Sequence, residues 1–366
     1  MERYLIMKDG TVYTGKAIGA SGTVIGEAVF TTAMCGYLLT LSDPSYYGQI
    51  VMQTFPLIGN YGAIESDAES DKPYLFGYIV RELCDVGSNY RKESELDDYL
   101  KKHNVVGIAG VDTRAITRKI RNMGVMSCMI TDSLKDMPQK LAELKKYKVK
   151  DAVEKTSTKV PVEVNPIDET HKYRVVLYDF GAKKNIERML IKYGCSVMRV
   201  PYDATAEQVL SYDPDGIMLS NGGGDPADNV GVIEELKKLN EKKLPTFGIC
   251  LGHQLLALSH GAKTVKLKYG HRGGNQPVKD LLTGKTYITS QNHGYAVKAD
   301  TIAPEAGKVR FINANDKTVE GIDYTCAPAF SVQFHPEACG GPKDTELLFA
   351  RFVEMMEQNK HCSEKE

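Results

Sequence analysis

Pro245-Thr246-Phe247-Gly248-Ile249-Cys250-Leu251-Gly252-His253-Gln254 is the stretch whose reading decides the fold. Pro245 ends whatever precedes it. Thr246 to Ile249 is short and mostly apolar, as a buried strand is. Leu251 to Leu258 reads as a helix, with Gly261 as its stop. Cys250 therefore falls at a strand-to-helix turn with a glycine two residues away on each side, the thiol counterpart of the Gly-x-Ser-x-Gly nucleophile elbow. The glycines permit a sharp turn and leave the sulfur open. The helix aims its first N–H groups and positive dipole end at that sulfur, which favours thiolate over thiol. A structural cysteine beside a tight turn has the same local sequence, so the flanking chain must discriminate.

Outward from the elbow, strand and helix alternate. Arg174 to Tyr178 is a strand, and Lys183 to Tyr193 is a helix closed by Gly194. Ser196 to Val200 is a strand, Thr205 to Ser211 a short helix, Gly216 to Ser220 a strand and Asp228 to Leu239 a helix. Short links between them predict an α/β fold with a parallel sheet covered on both faces. Sites in such sheets form at the carboxyl ends of the strands.

Asn221-Gly222-Gly223-Gly224-Asp225-Pro226-Ala227 lies at one such end. It fits a dinucleotide fingerprint, but Asp225 would repel a pyrophosphate and the first βα turn is elsewhere. Its bare N–H groups suit a developing oxyanion or a ligand carboxylate; a flexible surface turn is the alternative. After a strand at Tyr287 to Ser290, Asn292 is placed to pair with an amide and Tyr295 to form a ring wall, unless both serve an ordinary turn. Ala329 to Glu337 is a strand ending in His335-Pro336-Glu337. Pro336 restricts the backbone of His335. A histidine there suits a base for a thiol on a neighbouring strand, and Glu337 can fix its tautomer; a structural histidine is the plainer reading. Thr345 to Asn359 closes the chain as an amphipathic helix.

The whole chain, at 366 residues, is long enough for about two domains. A net charge of −1 gives no case for nucleic acid or an anionic membrane as partner. None of the eight cysteines forms CxxC, so no zinc knuckle or thioredoxin pair is offered, and no metal is expected. The N-terminus lacks an apolar signal region, and no run reaches membrane-spanning length, so a cytoplasmic protein with reduced thiols is expected.

Tyr4 to Met7 and Thr11 to Thr14 form a hairpin about Asp9-Gly10. Gly10 to Ala17 nearly spells a P-loop, but Ala17 replaces the required Ser or Thr and no helix follows. Thr283-Gly284-Lys285-Thr286 fails likewise, with Lys279 where the first glycine belongs. Leu41 to Tyr47 reads as a polar loop and Ser94 to His103 as a capped helix. Asp112 to Met123 is a helix with Asp112 as N-cap and Gly124 at its end. Its Arg114, Arg118, Lys119 and Arg121 are either a solvated face or a partner-binding one. The mixed stretch after Lys150 suits a connector, giving an N-terminal domain at 1–150, a linker at 151–171 and a second domain at 172–366.

Gly248-Ile-Cys250-Leu-Gly252-His-Gln254, Ser290-Gln-Asn292-His-Gly294 and Phe334-His335-Pro-Glu337 together resemble the class I, triad-type glutamine amidotransferases. Asp43-Pro44-Ser45-Tyr46, Gly110-Val-Asp112-Thr-Arg114, Tyr178-Asp-Phe-Gly181-Ala-Lys183 and Asn221-Gly-Gly-Gly-Asp225-Pro226 narrow the resemblance to the small subunits of carbamoyl phosphate synthases. It covers nearly the whole chain.

The resemblance implies a flavodoxin-like C-terminal glutaminase domain beside a smaller N-terminal α/β domain that contacts the partner. It implies glutamine hydrolysis here and ammonia transfer to a large subunit, which makes carbamoyl phosphate from bicarbonate and two ATP for arginine and pyrimidine synthesis. Cofactors on this chain are none; ATP and Mg belong to the large subunit. Cys250 becomes the nucleophile, His335 the base and Glu337 its orienter. Leu251 and Gly222 supply oxyanion N–H groups. Ser45, Gly222, Gly224, Leu251, Gln254, Asn292, Gly294 and Tyr295 match the glutamine-binding positions. The chain departs from the family at Gly223, usually proline, and at Tyr295, usually phenylalanine. Three alternatives share the elbow: another class I amidotransferase, a γ-glutamyl peptide hydrolase, and a regulatory subunit that binds glutamine without turnover. Redox sensing by Cys250 lacks a resolving cysteine paired in sequence. Further assembly of heterodimers stays open.

Overall fold

Apolar alternation in β1 (Glu2–Met7), a turn at Asp9-Gly10 with Gly10 at φ 89°, and β2 (Val12–Gly19) give the first hairpin. The P-loop-like residues lie in this hairpin. The computed structural model describes residues 1–166 and 171–363. The chain divides into two units, Met1–Ala152 and Val153–Glu366.

The first unit continues with β3 (Val24–Thr31), β4 (Gln49–Gln53), β5 (Leu57–Ile58), β6 (Gly77–Ile79), β7 (Glu82–Leu83), β8 (Val106–Ala109) and β9 (Met126–Thr131). Seven of these close a barrel in the order β1-β2-β8-β6-β4-β3-β9, while β5 and β7 pair apart. Leu5, Ile50, Ile108 and Ile130 pack together in its core. Short helices α1 (Tyr37–Ser42), α2 (Leu96–Lys102), α3 (Thr113–Met123) and α4 (Met137–Lys146) accompany it. Asp112 caps α3 through the Ala115 N–H, as the sequence suggests. No side chain caps α2, because the Glu95 carboxylate is taken by Lys92 and the Gly87 N–H. The expected polar loop at Leu41 to Tyr47 is instead the end of α1 and a 3₁₀ turn. Ser42, Asp43, Ser45 and Tyr46 are buried there, with the Ser45 N–H donating to Asp43 Oδ1 at 2.9 Å.

The expected linker is partly regular. It contains α5 (Ala152–Thr156) and β10 (Val162–Asn165). Both belong mainly to the second unit: Thr158 N donates to Asp179 Oδ2, and β10 pairs antiparallel with the strand Cys195–Pro201. Four residues between Pro161 and Pro166 are too few to show a period, so this edge strand is invisible in sequence. Residues 167–170 of the predicted linker lie outside the described residues.

The second unit runs β11 (Tyr173–Asp179), α6 (Lys184–Lys192), β12 (Cys195–Pro201), α7 (Ala206–Ser211), β13 (Gly216–Leu219), α8 (Val230–Asn240), β14 (Thr246–Ile249) and α9 (Leu251–Ser259). Then follow β15 (Thr264–Asp280), β16 (Thr286–Val297), β17 (Gly307–Asn313), β18 (Val319–Tyr324), β19 (Ala329–Val332) and α10 (Leu347–Ser363). One 10-stranded sheet results, in the order β10-β12-β11-β13-β14-β19-β18-β17-β15-β16. The block β12-β11-β13-β14-β19 is parallel, as alternation predicts. Its strands are apolar on both faces because both are covered. Val176, Tyr178 and Leu219 pack with α8 and α9, while Val175, Met218 and Phe247 pack with α6 and α10.

The rest of the sheet is antiparallel, and here the structure corrects a boundary. Gln291 to Val297 is not a segment following a strand; β16 runs through it, paired with β15 at Arg272↔Asn292 and His271↔His293. No described helix is long and apolar enough to cross a membrane.

Candidate active site

The elbow is as tight as its glycines require. A Cβ at Gly248 would lie 2.8 Å from the Gly252 carbonyl oxygen, and one at Gly252 would lie 2.3 Å from the Leu219 oxygen. Both obstacles are backbone, so neither position admits a side chain. Cys250 between them is held at φ 53°, ψ −102°. Such strain in a non-glycine residue costs about 1–3 kcal/mol and is maintained only where the surroundings enforce it. Its N–H donates to Val332 O at 2.9 Å, and its Sγ lies 3.7 Å from Asn292 O.

β14 and β19 are parallel neighbours with Ile249 opposite Val332. Cys250 and the segment from Gln333 to Glu337 therefore leave adjacent strand ends. The strand itself stops at Val332, short of the predicted end. The His335 N–H then donates to Ser290 O at 2.9 Å. His335 Nδ1 is 2.7 Å from Glu337 Oε1, and both side chains are buried. A carboxylate there requires the proton on Nδ1 and leaves Nε2 for the thiol side. Among the described residues, Nε2 meets no hydrogen-bond partner within ordinary distance. The Cys250 group nonetheless acts on the ring and strengthens its hold on a proton.

Lys183 was not singled out chemically by the sequence, although it closes one of the quoted motifs. Its Nζ sits 3.2 Å from His335 Nδ1 and 3.5 Å from Glu337 Oε1. Asn185 fixes the same corner by donating to the Glu337 carbonyl. Burial is the largest influence on the His335 imidazolium and opposes it, as does Lys183; Glu337 and Cys250 outweigh both, so its pKa is raised. Burial likewise opposes the Glu337 carboxylate, but His335 and Lys183 hold it well below the ordinary carboxylate range. His253, beside the elbow, is different: fully buried against Ser331, it is pushed by burial down to about 3 and is a core residue.

The glycine-rich loop is anchored rather than slack. Ser220 Oγ accepts from the Phe180 N–H at 2.9 Å. Asn221 donates to Gly181 O at 3.0 Å and accepts from the Lys183 N–H at 3.0 Å. Gly222 passes so close to Phe180 O that a Cβ would meet it at 2.3 Å, with Leu251 Cδ2 at 2.7 Å on another side. Gly222 and Leu251, the two expected oxyanion donors, are thus packed together at the elbow.

Of the remaining predicted site residues, Asn292, Gly294 and Tyr295 lie on β16, and Gln254 lies on α9. The Gln254 amide donates to Tyr295 O and to Gln333 Oε1, each at 2.8 Å. The Tyr295 ring stands 5.8 Å from Lys266 Nζ. Ser45 belongs to the first unit. Behind β16, His271, His293 and Glu320 bring ligand-type atoms within 4.8 Å of one another, the one such described group of three. Oxygen atoms already face both His293 nitrogens, Tyr295 O at Nδ1 and Gln291 Oε1 at Nε2.

Comparisons with known proteins divide the chain the same way. A family model described as "Carbamoyl-phosphate synthase small chain, CPSase domain" matches residues 5–130, and "Glutamine amidotransferase class-I" matches residues 176–355. The chain is 50% identical over 365 residues to the carbamoyl phosphate synthase small chain of Bacillus cereus, covering 100% of this chain and 99% of that one. It is 48% identical over 360 residues to the one from Staphylococcus saprophyticus, covering 98% and 97%. Among solved structures, a glutamine amidotransferase from Thermotoga maritima matches with a TM-score of 0.37 and 18% identity, over 52% of this chain and 86% of that one.

Proposed function

Since the chain belongs to the family of carbamoyl phosphate synthase small chains, we propose that it hydrolyses glutamine with a Cys250-His335-Glu337 triad and delivers ammonia to a large synthetase subunit. That subunit makes carbamoyl phosphate from bicarbonate and ATP, for arginine and pyrimidine synthesis. One observation carries the reading. A strained cysteine at a strand-to-helix elbow adjoins a buried histidine–carboxylate pair at the end of the next parallel strand.

The chemistry calls for these groups. A carboxamide is a poor electrophile with a poor leaving group. The Cys250 thiolate attacks its carbon, and the Leu251 and Gly222 N–H groups receive the negative charge that forms on oxygen. One such donor is worth about 3 kcal/mol. His335 gives a proton to departing ammonia and then takes one from the water that hydrolyses the thioester, so it must both gain and lose a proton. Glu337 keeps the ring in one tautomer through both steps. The remaining polar lining, Gln254 and Asn292, orients the substrate.

The test is coexpression with a candidate large subunit. Glutamine-dependent glutamate release and carbamoyl phosphate formation should both vanish in Cys250→Ala, while synthesis from added ammonia persists. A wild-type complex that releases no glutamate would overturn the reading.

A further inference from the structure

The triad does not use a line of polar groups that runs from an exposed turn into the interior behind β16. It begins at Asp316, whose Oδ2 is 2.8 Å from His271 Nε2. His271 Nδ1 faces Glu320 Oε1 at 3.5 Å. Glu320 is fully buried on β18, and its Oε2 accepts from Gln291 Nε2 at 3.0 Å. Gln291 Oε1 is 3.0 Å from His293 Nε2, and His293 Nδ1 donates to Tyr295 O at 2.7 Å. The Tyr295 carbonyl also accepts from Gln254.

Strand geometry gives this line its meaning. Gln291 and His293 bond each other on one face of β16, so Asn292 between them projects to the opposite face. The Asn292 carbonyl is the group nearest the Cys250 sulfur in the hydrogen-bond network. Glu320 grips the strand from behind at Gln291, and the Glu320 carbonyl accepts from the Gln333 N–H, two residues before His335. Asn313 Nδ2 supports its other oxygen at 3.3 Å. An acid in this position is expensive to bury and has no role in amide hydrolysis.

We propose that Glu320, backed by His271, is a positioning residue that holds the Gln291-to-Tyr295 segment of β16 in the shape glutamine binding requires. The proposal rests on the glutaminase reading and adds to it a carboxylate outside the triad on which substrate affinity depends. Asp316 from the β17–β18 turn, Glu320 from β18 and His293 from β16 are the titratable groups facing His271, with Arg272 beside it on β15. Burial opposes the His271 imidazolium, but Asp316 and Glu320 outweigh it and raise the ring to about 9. Loss of that proton unpairs Glu320 from its cation and loosens the grip on Gln291. Affinity for glutamine thus acquires an alkaline limit set away from Cys250 and His335.

The experiment measures KM and kcat for glutamine against pH in the complex with the large subunit. It also follows iodoacetamide alkylation of Cys250 and thermal stability. Glu320→Ala should raise KM about tenfold, the consequence of removing the carboxylate that accepts from Gln291 and faces His271, with kcat and the alkylation rate little altered. Glu320→Gln, which keeps the hydrogen bond to Gln291 but has no charge to pair with His271, should restore most of the affinity and remove the alkaline rise in KM. A wild-type KM in Glu320→Ala, equal losses in the Ala and Gln variants, or an unmoved pH limit would each refute the proposal. So would stoichiometric zinc in the purified protein, since a metal would then hold the cluster. If Glu320→Ala fails to fold, the pH limit of Glu320→Gln decides. Silence of the wild-type complex would strike the glutaminase reading itself; an active wild type with an unaffected Glu320→Ala strikes only this inference.

Discussion

Gly222→Ala tests the oxyanion assignment at one atom. The added Cβ would lie 2.3 Å from Phe180 O, whereas carbon and carbonyl oxygen approach comfortably at about 3.3 Å. The loop must therefore move by about 1 Å. It cannot slide toward the elbow, because Leu251 Cδ2 stands at 2.7 Å there. Nor does the opposing loop yield readily: Phe180 N is bonded to Ser220 Oγ, and Gly181 O and Lys183 N are bonded to Asn221. A displacement of about 1 Å at a catalytic group can cost about 100-fold in rate, and losing one oxyanion donor costs about 100- to 1,000-fold in kcat. The expected result is a kcat for glutamate release lowered about 100-fold or more. Alkylation of Cys250 by iodoacetamide should be nearly unchanged, since displacement at a methylene develops no oxyanion. A kcat within threefold of wild type, in a variant with an unaltered circular dichroism spectrum, would remove Gly222 from the oxyanion site.

His335→Ala should abolish glutamate release as completely as Cys250→Ala, while Glu337→Ala should be milder; a Glu337 variant worse than either would reverse the roles assigned here. Lys183→Met removes a cation that opposes protonation of His335. The raised pKa of His335 should then rise further, and the acidic limb of the kcat/KM profile should move to higher pH; a shift to lower pH would contradict the placement of Lys183. Arg3 is 1% exposed and donates to the carbonyls of Ile18, Ala20 and Gly107 as well as to Asp132. Arg3→Met should destabilise the first unit by about 3 kcal/mol or more, and Arg3→Lys should recover little because it lacks the planar fork; a wild-type urea midpoint in Arg3→Met would refute this.

The sequence was most legible where a function and a period coincide. The parallel block from β11 to β14 is written in short apolar runs separated by helical periods, and the elbow glycines announce their own backbone constraint. The antiparallel extension was harder because its strands are long, bulged and only partly buried. β15 carries register shifts between Lys266 and His271 and between Gly273 and Gln276, which break the twofold alternation a reader would seek. Within β16, Asn292 and Gly294 are turn-type residues, so Gln291 to Val297 has the local sequence character of a turn although it is strand.

Lys183 shows a different limit. Its position at the start of α6 is plain from the sequence, yet nothing about a lysine at a helix start distinguishes a solvated side chain from one aimed at a histidine far along the chain. That distinction depends on the parallel order of the sheet, which brings the end of β11 near the end of β19 with β13 and β14 between them. Asn221 completes the connection, because it bonds Gly181 and Lys183 while its neighbour Gly222 lies against Leu251. Gly223, where the resemblance leads one to expect proline, therefore has less freedom than its type suggests. The residues on its N-terminal side are fixed by side chains of the loop itself, so the stiffness a proline would supply through its ring is supplied here through hydrogen bonds.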